Sequence, residues 1–357
     1  MKNISNPKNS KSNLRVKVSF FLFIGFFPIL FYSQNYRTIG AYIEDFGKNE
    51  MFIKKALMDY TITIVESQLD SRSKTTASRI VDKINDINNV LKRADQGFEG
   101  NTLLRDSFIK MNELTIDALT NGSLILNDYD YQSSLSFPEI GENLNKKEAS
   151  MIAYYKGLQN YELDKRTFGL SFKLHFKKPV GKNILEYNAF QNILFYKLNV
   201  IDEKLTKVVT AVDKKGFDVC MNLIAVMHLE IMTKTTAYRN LFKDTTLNQV
   251  NIEYANLINN QQIQLSYLFT AYSIAFESLQ ELKKSSNAEA PDTVESITVY
   301  NDAVKDYNAK KNLFYTLFND VQKTKGAMYD YWLIVNATFI KNNGEFGNLH
   351  DKFVLQD

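Results

Sequence analysis

One cysteine, Cys220, is all this 357-residue chain carries, and a single thiol closes no internal disulfide. Cys220 lies in FDVCMNLIAVMHL, on an apolar helical face, where a small buried hydrophobe is expected rather than a nucleophile. Proline and glycine are scarce as well, 5 and 14 residues, which argues against a turn-rich β fold. No stretch of strict period-two alternation bounded by turn residues stands in for strands. Net charge is nearly absent: 43 basic against 40 acidic residues leave +3, so there is no general electrostatic case for nucleic acid. Histidine numbers three, His175, His228 and His350, and none belongs to an HExxH, HxH or Glu-x-x-His pattern. A zinc or di-iron bundle site needs such pairs at helical spacing on several helices, so no metal or other cofactor is expected.

What is present is apolar and helical. Apolar residues make up 45% of the chain, enough for a packed core. Lys8, Lys11, Arg15 and Lys17 precede VSFFLFIGFFPILFY (18–32) and Ser33-Gln34. That is the layout of a secretory signal peptide over residues 1–33, cleaved after Ser33. The run is shorter than the roughly 20 residues of a spanning helix and contains Pro28. No cysteine stands near the cleavage point, which excludes lipid attachment by the bacterial lipoprotein route. No later segment reads as long and apolar enough to span a bilayer, so the mature protein is expected to be exported, to the periplasm or the cell surface.

Beyond residue 33, apolar side chains recur at helical steps. Ala77, Ile80, Ile84, Ile87, Leu91 and Ala94 make one stripe, and Phe190, Leu194, Leu198, Ile201, Leu205, Val208 and Val212 make another. Pro138, Pro179 and Pro291 punctuate the pattern and mark connections. AYYKGLQNYELDKRTFGLSF (153–172) laid on VYNDAVKDYNAKKNLFYTLF (299–318) pairs Tyr154 with Tyr300, Tyr161 with Tyr307, Lys165 with Lys311, Phe168 with Phe314 and Phe172 with Phe318. An internal duplication follows. Its units are 37–178 and 183–325, with a C-terminal helical extension and tail over 326–357. The expected fold is all-α: two tandem up-and-down four-helix bundle units, the last helix extended. The expected helices are 38–67, 71–96, 101–126 and 143–174, then 184–213, 215–240, 244–284 and 293–342. Gly326 is where the last helix could bend or break, its continuation packing on the other bundle.

Motifs that carry chemistry are missing. There is no GxSxG elbow, and Ser71–Lys74 and Ser107–Lys110 have SxxK spacing without the accompanying SDN and KTG elements. GFEGNT lacks the GK[ST] of a phosphate loop. Lys173, Lys177, Lys178 and Lys182 around Phe176 read as a solvated linker, with a patch for an anionic partner as the alternative. The aromatic stripes read as core, while Tyr129, Tyr131 and Phe137 are candidates for a contact surface.

One short stretch remains, FEGNTLLRDS at 98–107. Gly97 and Gly100 permit the backbone that stops a helix. Phe98 can tuck between helices, Asn101 is an N-cap for the next one, and Arg105 could pair with Glu99. FKDTTLNQVN (242–251) echoes it: Phe98 matches Phe242, Asn101 matches Asp244 and Leu104 matches Leu247. A rival register sets Gly216-Phe217-Asp218 on Gly97-Phe98-Glu99. The corner residues Phe98, Glu99, Gly100, Asn101, Leu104, Arg105, Phe242, Asp244 and Leu247 are thus a structural motif first. Phe98, Glu99, Gly100, Leu104, Arg105 and Asp106 resemble the helix-corner motif of a family of uncharacterised bacterial exported helical surface proteins, some of them lipoproteins. The resemblance covers about residues 37–176. It implies a surface or periplasmic address and a four-helix unit, and no established activity. Lys243, Asn248 and Gln249 depart from the motif in the second copy.

The expectation that results is an exported, non-enzymatic envelope or surface protein. It would bind an unknown envelope component or play a structural role, without nucleic acid and without a transmembrane span after signal cleavage. The rival expectation is a ligand-binding carrier or hydrolase with a site between the bundles.

Overall fold

The computed structural model describes residues 36–67, 71–120, 126, 128–176, 184–239, 246–286 and 293–343. The expected signal segment, 1–33, lies outside them, as do Phe242, Asp244, Lys177, Lys178, Lys182 and His350. The protein is all-α; among the described residues there is no strand, and Phe98 and Asn101 form an isolated bridge. The helices are α1 (Ile39–Ser67), α2 (Ser71–Ala94), α3 (Leu103–Thr120), α4 (Tyr129–Ser134), α5 (Phe137–Ser171), α6 (Ile184–Thr210), α7 (Lys214–Arg239), α8 (Leu247–Asn260), α9 (Gln262–Ser286) and α10 (Val294–Asn343).

In the first group α1 packs on α2, α2 on α3 and α3 on α5. Its core is aromatic: Phe108 meets Phe46 edge-on at 5.4 Å and Tyr161 at 5.6 Å, while Phe168 lies 5.7 Å from Tyr42. α5 is organised by one stripe, Ile140, Leu144, Lys147, Met151, Tyr154, Leu158, Tyr161, Lys165, Phe168 and Phe172, whose steps alternate four and three. That 3.5-residue average is the spacing of a coiled-coil seam. The helix starts six residues before the expected 143. Ser136 and Glu139 form a capping box, and Pro138 occupies the first turn, where its missing N–H costs nothing. The polar gap before it also folds, as the single turn and a half of α4.

In the second group α6 packs on α7, α7 on α8 and α9, and α10 on α6, α8 and α9. α6 and α10 run antiparallel: Asn188 donates to Asn336 at 2.6 Å, Phe195 stacks on Trp332 at 3.8 Å, and Asp202 pairs with Lys325. Here 244–284 is not one helix, because a turn at Gln261 divides α8 from α9. α10, by contrast, is continuous for 50 residues, straight through Gly326. The expected division at 325/326 therefore falls inside a helix. The residues beyond it pack largely into the same group, with Phe339 5.5 Å from Tyr187 of α6, and α10 also touches α1. A methyl group at Gly326 would meet nothing within 4 Å, so no close approach requires glycine there.

α7 corrects one expectation. Over Lys214–Ala237 it is long and apolar enough to cross a bilayer by length and composition. Its Glu230 and Lys234 are nonetheless tied to side chains of α5 and α6, as set out next. Cys220 is buried on α7, and burial pushes its thiol up to about 12.

Candidate functional site

The corner after α2 is a two-residue hairpin. Phe98 N–H donates to the Asn101 carbonyl at 3.2 Å, and Asn101 N–H returns to the Phe98 carbonyl at 2.9 Å. The residues between, Glu99 and Gly100, have φ of 50° and 80°. Positive φ at both centres is the signature of a type I′ turn, which usually calls for Asn-Gly. Gly97 is also left-handed, at φ 80°, and a Cβ there would lie 2.5 Å from the Asn101 carbonyl oxygen. Phe98 fills the expected place between helices, 5.8 Å from Tyr42 of α1 and 5.2 Å from Phe172 after α5.

Two details differ from expectation. α3 begins at Leu103, so Thr102 holds the cap position; Asn101 sits one residue earlier and accepts the Leu103 N–H at 3.1 Å. Arg105 does not reach Glu99, which is exposed at the tip of the turn. It donates instead to the Asp95 carbonyl at 2.6 Å and to Asp106 at 2.8 Å. Asp95 is the residue that sequence reasoning missed. Its carboxylate accepts from Tyr42 at 3.1 Å and from Gly97 N–H at 2.7 Å. Burial pushes the Asp95 carboxyl up, with Gly97, Tyr42 and Arg105 pulling the other way. Leu104 is fully buried, and so is Leu247 at the start of α8, where the cap position falls on Thr246. Gly216 and Phe217 of the rival register lie in the first turn of α7, with Phe217 buried.

The interior charges engage one another. In the first group Glu50 of α1 lies 2.6 Å from Lys54 and 3.4 Å from Lys165, which also pairs with Glu162 at 2.7 Å. Burial raises the Glu50 carboxyl, but Lys165 and Lys54 outweigh it and hold it below the usual carboxylate range. Between the groups, Glu148 of α5 joins Lys197 of α6 and Lys234 of α7, and Glu230 bridges the same two lysines at 3.0 and 2.6 Å. Burial opposes ionisation of Glu148, and the hydrogen bonds from the two lysines overcome it, so this carboxyl too is lowered. Uncharged amides fill the second group. Asn188, Asn336 and Asn192 close a ring of hydrogen bonds, and Trp332 donates to Asn251, which donates to Gln191. Among the described residues no cluster of three or more His, Cys, Asp or Glu is placed to hold a metal ion. His228 bonds Asn256 at 2.8 Å.

The outer surface differs between the groups. Among the described residues, twelve of the eighteen exposed large apolar side chains lie at or after residue 184, so any apolar contact surface belongs mainly to the second group. They include Val226 and Leu229 on α7 and Ile263, Tyr267 and Ile274 on α9. Of the three first-gap aromatics, Tyr131 is exposed, Tyr129 packs 5.0 Å from Tyr196, and the Phe137 ring lies under Lys204. The far half of α9 and the first half of α10 project as an arm. α6 and α7 meet at Thr210–Lys214, level with Phe217, which stacks on Phe269 at 4.2 Å. No residue of α10 from Val294 to Leu313 is buried, a length of about 30 Å at 1.5 Å per residue.

No family model matches the chain, and no curated protein or solved structure matches it either. The family resemblance at residues 98–106 therefore rests on those motif residues alone.

Proposed function

We propose that the protein is an exported, non-enzymatic component of a bacterial envelope that works by binding a protein partner. One observation carries this reading: the exposed apolar side chains gather on α7, α9 and α10, while the buried charges are spent on one another. Exposed apolar side chains concentrated on a few elements are what an interaction site is built from. Between the groups, Glu148, Glu230, Lys197 and Lys234 are mutually paired and Lys147 lies 3.5 Å from Asp128, an arrangement this reading takes as packing of the two groups rather than chemistry. The N-terminal pattern, with cleavage after Ser33, supports export, and the corner at 98–106 supports kinship with helical surface proteins.

The test uses affinity capture from cross-linked envelope extracts, with Val226→Glu/Leu229→Lys beside the unaltered chain. The reading expects an envelope protein retained by the unaltered chain and lost by the variant, and a mature N-terminus at Gln34. Equal retention by both chains, or turnover of peptide, ester or glycan substrates, would overturn it.

A further inference from the structure

α10 bears two stripes. The inner one, Tyr300, Val304, Tyr307, Lys311, Phe314 and Phe318, faces α9: Tyr307 lies 5.8 Å and Phe314 5.8 Å from Tyr272. The second runs Val299, Ala303, Asp306, Lys310 and Leu313 along an outer face, again in alternating steps of four and three, and ends at Leu317, which is part-buried against the core. Val299 and Leu313 are 51% and 62% exposed. Asp306 and Lys310 pair with each other at 2.8 Å and stay open to solvent.

This outer stripe is a palindrome of chemistry about Asn308. Reversed on itself, it sets Asp306 against Lys310, Ala303 against Leu313 and Val299 against Leu317. Antiparallel coiled coils pair alternate seam positions in just this crossed way, and a two-fold interface uses each contact twice. We propose that the arm docks on the arm of a second copy of this chain, α10 lying antiparallel to α10 across this stripe. Two Asp306–Lys310 pairs then close a ring of four alternating charges at the centre, flanked by apolar contacts. The charge pattern selects the orientation of the copy: a parallel copy would oppose like charges, and like charges facing each other are disfavoured. The inference goes beyond the binding reading above, using the arm rather than α7 and a second copy rather than another envelope protein.

The test is the mass of the full chain in solution by sedimentation equilibrium, over a hundredfold range of concentration. The unaltered protein reaches twice its chain mass. Asp306→Lys sets lysine against lysine and Lys310→Glu sets acid against acid, so each weakens the dimer tenfold or more. The double charge swap restores it, with helix content by circular dichroism unchanged throughout. A monomer at every concentration overturns the inference, as does a dimer indifferent to both single reversals. In either case capture of an envelope protein through α7 would leave the broader binding reading standing.

Discussion

α5 and α10 carry the same stripe in different surroundings. Tyr161 and Tyr307, Lys165 and Lys311, Phe168 and Phe314 occupy matching places, and each lysine sits over its tyrosine ring, at 5.2 and 5.6 Å. On α5 the stripe is closed from two sides. α3 supplies Phe108, and α1 supplies Tyr42, Phe46 and the Glu50 that meets Lys165. On α10, among the described residues, the partners from other helices are the rings of α9, and while Phe314 is buried, Tyr307 and Lys311 are only part-buried. A seam that looks like core in both helices is therefore core along most of α5, but on α10 it is core only from Phe314 onward and half-open before it. What decides is the length of the neighbouring helices, not the seam itself.

The sharpest way to break that comparison is to remove the paired lysines in turn. Lys165→Ala leaves the buried Glu50 with Lys54 alone and removes the pair with the part-buried Glu162, and is expected to cost about 3 kcal/mol in urea unfolding. Lys311→Ala loses a ring contact at a half-open site and should cost no more than about 1 kcal/mol. Equal losses would contradict the difference between the two seams. Next, Leu104→Ala and Ile84→Ala in the closed group should each cost about 2–5 kcal/mol, since both are fully buried. An unchanged urea midpoint would remove them from the core. Gly97→Ala, forced into left-handed backbone against the Asn101 carbonyl, is expected to cost at least about 1–2 kcal/mol. Leu313→Ala on the arm should shift stability by less than about 0.5 kcal/mol in dilute solution, as surface changes do.

Acid gives an independent handle on the buried pairs. Glu50 and Glu148 are lowered in the fold. Their stabilisation is thus full above the ordinary carboxylate pKa and lost as pH falls through the lowered values. Glu148→Gln should flatten the acid limb of a stability–pH curve. An unchanged limb would mean that this carboxylate is not held ionised.

Much of the fold was legible in the sequence because seams depend on local spacing. The stripes of α5 and α10 and the helical character of nearly every element follow from steps of three and four. The start of α5 was also written there, in Ser136-Phe137-Pro138-Glu139, but Pro138 reads as a break unless Ser136 and Glu139 are seen as a box. Other features were not legible, because they join residues far apart. Asp95 steadies the corner through Tyr42, 53 positions away, and Asn188 meets Asn336 across 148. Whether a stripe is covered depends on where other helices stop, which no local pattern records. For the same reason the candidate corner was readable as a corner, with its glycines and Phe98, while the exposed face of α10 was hidden behind the aromatic stripe beside it.

Amide hydrogen exchange along the two helices tests the central contrast most directly. In dilute protein, peptides from 294–313 are expected to exchange much faster than peptides from 148–167, and their protection should rise with concentration as arms pair. Equal protection of both segments in dilute solution, with no response to concentration, would contradict the account.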